Sequence, residues 1–483
     1  MATEKYIKNY LDGKLVPANS GNYLESINPA TGKPIAEYPD SDQQDALNAI
    51  EAAERVLSNW TNFELEKRYR LLMRLADIIE QDTTGFAKAE TLDVGKPLSM
   101  SLSVDVPQAY SCLRFYATSL PHYGTKAFYQ TGSSIHFSIR RPLGIVAIVP
   151  HWSFPLLNLC QLVAPALVSG NCVLILAPAL APRTAFLFAK ACQSAGIPPG
   201  VVNILHGDEA NILPTIIEHH SIKAIAYWGA QRNEILLESR TLPGFKRLSL
   251  QGGAKNPAII FADCNFHKMI VEILRSSFSN NGQHPFSTSR IFIERTIYEK
   301  FKEELVKRTQ FLKVGDTLSS VTDLGAIISA EKLEQLLAYV AQAEVEGGKI
   351  LCGGKVLTLS GEFEHGYFFR PAVIEGLEPT AHLNQEDFYG PIVSIAPFDT
   401  DEEAIALANS TEFGKAACVW TQNTSRGIRL AETLHAGITW INGWMLQDDR
   451  IAIKPIGASG NTIIGGMEML DFFSHQKMIG QPI

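Results

Sequence analysis

The sequence predicts an α/β fold built from two parallel-sheet domains, and three observations carry that expectation. Short apolar runs recur, GIVAIVP (144–150), CVLILAP (172–178), VVNILHG (201–207) and IKAIAYWG (222–229). Helical stretches such as TAFLFAKACQSAG (184–196) separate them. A second series opens after QGGAKNP (251–257), with AIIFA (258–262) and SRIFIE (289–294) as strands, then helices around Tyr298–Leu312 and Glu331–Glu346. Strands buried on both faces read as continuous apolar runs, and their regular exchange with helices implies parallel βα units. The two domains are expected to meet near 251–257.

Ahead of the first series, Leu47, Ile50, Ala53 and Leu57, then Leu71, Leu72, Leu75 and Ile79, recur at the period of amphipathic helices. The segment KAFYQTGSSIHFSIRRP (126–142) alternates in part with period two, which predicts an exposed hairpin whose edge suits oligomerisation. The apolar stretch from Leu156 to Ala181 is broken by Pro165, Gly170, Asn171 and Pro178, so it reads as helix, turn and buried strand instead of a membrane span. MATEKYIKNY offers no apolar core of a signal peptide, and the expected address is cytoplasmic.

The 483 residues are 46% hydrophobic and 19% charged, enough to bury the cores of two or three domains. A net charge of −8 without long runs of either sign excludes nucleic acid and anionic membrane as expected partners. Seven scattered cysteines without a CxxC pair fit reduced thiols and predict no metal site.

Across nearly the whole chain the motifs resemble those of the NAD(P)-dependent aldehyde dehydrogenases. They include YLDGKLVPANSG, INPATGKPIAEYP, LDVGKP, APALVSGNCV, GIPPGVVNI, GGAKNPAIIF, SSFSNNGQ with TSRIFIE, YGPIVSIAPFD (389–399) and WINGW (440–444). The likeness is strongest to the branch that oxidises 2-aminomuconic semialdehyde. The resemblance implies an aldehyde dehydrogenase-like fold: a dinucleotide-binding domain (1–122 and 143–252), a catalytic-type domain (253–452) and a bridging element (123–142 and 453–483). It also implies a small-molecule substrate and a homodimer or homotetramer.

The family's chemistry uses a cysteine thiolate, an oxyanion site made of a backbone N–H and an asparagine amide, a glutamate base, and NAD(P) as hydride acceptor. In NNGQHPFSTSR (280–290) the nucleophile position is Pro285, which has neither thiol nor backbone N–H. The asparagine position is Ser153 in HWSFP (151–155), and the base position is Gln251, an amide that takes no proton near neutral pH.

The ribose-binding pair of the family falls on Ala177 and Leu180, and the turn facing the pyrophosphate reads Tyr227-Trp228-Gly229-Ala230. The glutamate that orients the second ribose falls on Asp387. Of the branch's two carboxylate-binding arginines, one is retained as Arg114 and the other aligns with Ile463. Trp152, Pro285, Phe286 and Trp444 are expected to line the substrate pocket with Arg114.

His151 and His284 border the altered loops. They read either as satisfied polar residues or as an imidazole pair for acid–base work. Three functions follow. In the leading one, His284, His151, Ser153, Gln251 and Asp387 catalyse a cofactor-independent isomerisation, addition or cyclisation of a small carbonyl compound. The second is a structural, crystallin-like role, and the third is NAD(P)-dependent aldehyde oxidation at an unusual site. No cofactor is expected in the leading reading, with NAD or NADP as the alternative. A structural role predicts an empty or collapsed cavity filled by Trp228 and Phe286, and a repurposed enzyme predicts an open polar one.

Overall fold

The computed structural model describes residues 4–229, 237, 240–241, 244–446 and 448–483. Two sheets form its centre. The first runs, edge to edge, Arg247–Gln251, Ile222–Trp228, Ile145–Val149, Cys172–Leu176, Val202–Leu205, Asn9–Leu11 and Lys14–Val16. Its first five strands are parallel, and the two N-terminal strands close it antiparallel. The second runs Lys349–Cys352, Ala372–Glu375, Ile392–Phe398, Thr288–Glu294, Asn256–Ile260, Ala416–Trp420 and Ile438–Ile441, parallel except for its first strand.

The apolar runs form these strands because helices cover both faces. Ile145–Val149 and Cys172–Leu176 are buried at every residue. The helices Pro155–Val168 and Pro182–Ala195 each begin on proline, whose fixed φ and missing N–H suit a first helical turn. The second of them ends on Gly196 at φ +81, a left-handed cap.

The chain passes from one sheet to the other between Gln251 and Asn256. The AIIFA strand begins two residues earlier than its apolar run, at Asn256. The side chain of Asn256 is bound at both ends: it donates to the carbonyls of Pro285 (3.0 Å) and Ser287 (2.9 Å) and accepts from the N–H of Ala416 (3.0 Å). The predicted hairpin, Ala127–Gln130 with Ser134–Pro142, is present. Ser474–Pro482 pairs along the full length of its longer strand.

Candidate active site

The C-terminal ends of the parallel strands of the first sheet face the second sheet across a cleft. In open α/β sheets this edge is where ligands bind. Pro150 to Trp152, Pro178 to Leu180, Tyr227 to Gly229 and Gly252 line it from one side, and Asp387, Tyr389 and Lys332 from the other. The cleft has a volume of about 710 Å³. A second cavity of about 300 Å³ lies behind it, walled by Phe154, Leu157, Phe286, Trp440, Trp444 and Ile464. Trp228 lines both, and Gln251 and Gly252, adjacent in sequence, face one each. The partition is therefore the indole of Trp228 and the end of the strand Arg247–Gln251. Trp228 is 2% exposed, and its N–H donates to Thr462 Oγ1 at 3.1 Å.

The loop carrying Pro285 is held rigidly. Asn280, Asn281 and Gly282 all have positive φ (51, 57 and 68°), a conformation that asparagine and glycine adopt with least strain. A Cβ at Gly282 would lie 2.3 Å from the carbonyl oxygen of Gly390. Asn280 donates to the carbonyls of Ser153 (3.0 Å) and Gln283 (2.8 Å). Asn281 spans Ala326 and Gly325, and Gln283 accepts from Ile328 N–H (2.9 Å). Trp444 N–H donates to the carbonyl of Phe286 at 2.8 Å. These residues, which resemble the frame of a nucleophile loop, are the ones that fix the loop's path.

The five residues expected to act together are divided by the structure. Gln251 and His284 line the inner cavity and His151 and Asp387 the cleft, while His284 and Asp387 also share a small pocket of about 20 Å³ between the two. Ser153 lines neither. It is fully buried, and its hydroxyl is 2.8 Å from His151 Nδ1. The imidazole pair expected in one pocket is thus separated, because each ring packs into its own aromatic group. His151 lies against Trp152 and Tyr389, and His284 against Phe154, Phe286 and Trp444.

Of the expected pocket residues, Pro285, Phe286 and Trp444 line the inner cavity, but Trp152 faces the cleft. Arg114 lines neither cavity. Its guanidinium is drawn outward to Asp77 (2.7 Å) and Glu80 and lies over the Tyr110 ring, away from both cavities. Among the expected nucleotide positions, Leu180 and Gly229 line the cleft and Ala177 is buried beneath it. Ala230 lies outside the described residues.

Sequence reasoning missed Arg275, Trp440 and Lys332. Trp440 opens the WINGW segment that Trp444 closes, and that proximity was its available signal. Lys332 comes from the second sheet's side, with no local signal. The inner cavity is open, so Trp228 and Phe286 do not fill it, and its walls mix aromatic rings and aliphatic side chains with polar groups such as Gln108, Asn158, Gln161 and Asp449.

Burial pushes the imidazoles of His151 and His284 down to about 3, and neighbouring cations reinforce this: Lys415 and Lys332 at His151; Lys96, Lys415 and Arg275 at His284. Phe286 N–H donates to His284 Nδ1 (3.0 Å) and Ser153 N–H to His151 Nδ1 (3.2 Å), which leaves each ring proton on Nε2. Both rings are uncharged near neutral pH.

The stability these two contribute is present above the unfolded value of about 6.5 and is lost as pH falls through the folded value. Buried Asp93, raised to about 7, works the other way, losing stability as pH rises from about 4 to 7. Between about pH 6.5 and 4 the thermal midpoint of His151→Gln/His284→Gln is expected to fall less steeply than that of the native chain. A scan of midpoint against pH checks this, and parallel curves would refute the assignment.

The match to a family model spans residues 15–479, and that model describes the aldehyde dehydrogenase family. The chain belongs to the aldehyde dehydrogenase family. It is 34% identical to the 2-aminomuconic semialdehyde dehydrogenase of Bos taurus over 476 residues, 98% of this chain and 97% of that one. It is 35% identical to the 2-hydroxymuconic semialdehyde dehydrogenase of Pseudomonas sp. (strain CF600) over 483 residues, 98% and 99% of the two chains.

Among solved structures, an NAD+ complex of an aldehyde dehydrogenase from Bacillus cereus matches with a TM-score of 0.96 at 29% identity, covering 100% of this chain and 97% of that one. An indole-3-acetaldehyde dehydrogenase of P. syringae, in complex with NAD+ and IAA, gives the same score, identity and coverage. These aldehyde dehydrogenase complexes correct the expectation of no cofactor, because chains of this fold hold NAD+. The cleft here fits such a group in size. It also presents carboxylates, Asp387 among them, of the kind that accept hydrogen bonds from ribose hydroxyls. The apolar side chains of Ala177 and Leu180 therefore do not by themselves exclude a nucleotide. The match extends over the whole fold, whereas those clamps are two side chains.

Proposed function

We propose that this chain is an NAD(P)-binding member of the aldehyde dehydrogenase family that holds a small carbonyl compound without forming a covalent acyl intermediate. The supporting observation is the position of the thiols: all seven cysteines are buried, and none lines either cavity. A thioester needs a thiolate within reach of the carbonyl carbon, and burial raises Cys160, Cys172, Cys192 and Cys418 well above ordinary thiols.

The nucleotide would lie in the cleft, with Asp387 and Gln385 toward its ribose hydroxyls and Lys332 toward its phosphates. Such a group, when bound, supplies hydride transfer. The carbonyl compound would lie in the inner cavity, where Gln251 and the uncharged His284 can hydrogen-bond but take no proton from water near neutral pH. Asp387 accepts the N–H of Ala254 at 2.8 Å, which fixes one side of the cleft. The exposed edge strand Ala127–Gln130, with Phe128 and Tyr129 outward, supports assembly into a homodimer or homotetramer.

Calorimetry is expected to show NAD+ binding, and intact-mass measurement after incubation with NAD+ and aldehydes is expected to show no acyl adduct. An adduct on any native cysteine would overturn the reading. Pro285→Cys is expected to add one thiol that iodoacetamide modifies in the folded protein, while the seven native cysteines stay unmodified. A peptide map of the alkylated protein checks this.

A further inference from the structure

The mouth of the inner cavity carries an apolar rim. Val104, Leu446 and Ile451 all line the cavity, and all three remain exposed, at 36, 60 and 45%. Single exposed apolar side chains are ordinary on a protein surface. These three come from two separate stretches of chain and gather at one opening, beside the half-buried Met100 and Met445. Behind them the rings of Phe154, Trp228 and Phe286 are buried.

Backbone irregularities present two of the rim residues. Val104 lies in the π-helical turn Ser101–Asp105, and such wide turns recur at functional sites. Met445, next to Leu446, has φ +51, which strains a residue with a long side chain. Strain of this kind persists only where the surrounding structure holds it, and it concentrates at ligand sites.

The opening is also unfavourable to an anion. Two carboxylates line the cavity, Asp448 and Asp449, against one cation, Arg275. Arg275 is engaged by Glu272 (2.6 Å) and the Trp444 carbonyl (3.0 Å). Asp448 pairs with Arg450 (2.5 Å), and Asp449 accepts from the Ser111 hydroxyl (3.0 Å). Among the uncharged polar residues of the wall, Gln161 and Ser279 carry an N–H and an O–H that suit a carbonyl oxygen. At about 300 Å³ the cavity is at the small end of ligand sites, so a longer guest leaves it across the rim.

We propose that the inner cavity binds an uncharged carbonyl compound with an aliphatic tail, its carbonyl among the polar groups of the wall and its tail crossing Val104, Leu446 and Ile451 at the mouth. This deepens the reading of a carbonyl compound held in the inner cavity without acylation, and rests on it. The test uses methyl ketones, which cannot acylate a thiol: 2-butanone, 2-hexanone and 2-octanone, with 7-oxooctanoate, which is 2-octanone with its far methyl replaced by a carboxylate. Calorimetry and thermal shift on the full chain are expected to show affinity rising about fourfold per added methylene. The keto acid is expected to bind about tenfold or more weakly than 2-octanone.

Leu446→Ser and Val104→Ser, both at exposed positions that tolerate a polar side chain, are each expected to cut the gain from 2-hexanone to 2-octanone to about threefold or less while leaving 2-butanone unchanged. Affinity that is flat in chain length, a gain that survives in both variants, or a keto acid that binds as tightly as 2-octanone overturns the tail assignment. An acyl adduct in the intact mass after incubation with octanal and NAD+ overturns the non-acylating reading instead, and leaves the ketone series standing.

Discussion

Trp228→Thr is expected to let NAD+ bind about tenfold more tightly than ADP-ribose, where the native chain binds the two alike within about threefold. The reason is the partition. The indole lines both the cleft and the inner cavity and is fixed by its hydrogen bond to Thr462, which in turn lies 2.7 Å from Ser249. With the indole in place the two cavities are separate, and a nicotinamide ring in the cleft adds little to what the rest of the nucleotide contributes. Removing it joins them and gives the ring a buried aromatic site worth more than 1 kcal/mol. Trp228→Phe keeps a ring in the wall and is expected to keep the two affinities alike. Calorimetric titration of the three proteins with both nucleotides decides the matter. A native chain that already prefers NAD+ by tenfold would show that Trp228 does not screen the inner cavity.

Lys96→Met is expected to destabilise the fold by about 3–5 kcal/mol, the cost of stranding buried carboxylates without their cation. Lys96, Glu90 and Asp105 have fully buried side chains, and Lys96 pairs with both acids, at 2.6 Å with Glu90. Burial raises the Asp105 carboxyl, while Lys96 is held charged by its two partners. The group also supports the site. Glu90 accepts the N–H of Leu156 at 2.8 Å, and Lys96 lies 3.4 Å from the Ser153 carbonyl and over the Phe154 ring. Arg295→Ala breaks an exposed pair with Asp399, which solvent screens, and is expected to change stability far less. Urea denaturation of the two variants beside the native chain measures the difference. Similar costs for both would show that the buried triad is replaceable.

The route of the main chain was legible in the sequence. Continuous apolar runs with no alternation can be satisfied only by strands covered on both faces, and the runs at 145–149, 172–176, 202–205 and 222–228 became those strands. The motif residues of the Pro285 loop were equally informative about shape. The sequence of types Asn-Asn-Gly already favours a left-handed turn, which local sterics impose.

The absence of a thiol, a carboxylate and a backbone N–H at Pro285 and Gln251 is also a property of the sequence alone, since no fold can supply an atom that a side chain lacks. What tertiary structure decided is which of the remaining groups meet. His151 and His284 flank neighbouring loops in the sequence reading, yet packing against different aromatic rings turns them into different cavities. Arg114 has the chemistry of an anion ligand, but two nearer carboxylates claim it. Trp440 and Gln251 stand far apart in the chain and line one cavity because Ile438–Ile441 and Arg247–Gln251 are brought to it from different sheets. Local sequence sets backbone conformation through sterics and burial pattern. The partners of a side chain depend on long-range packing, which no single segment encodes.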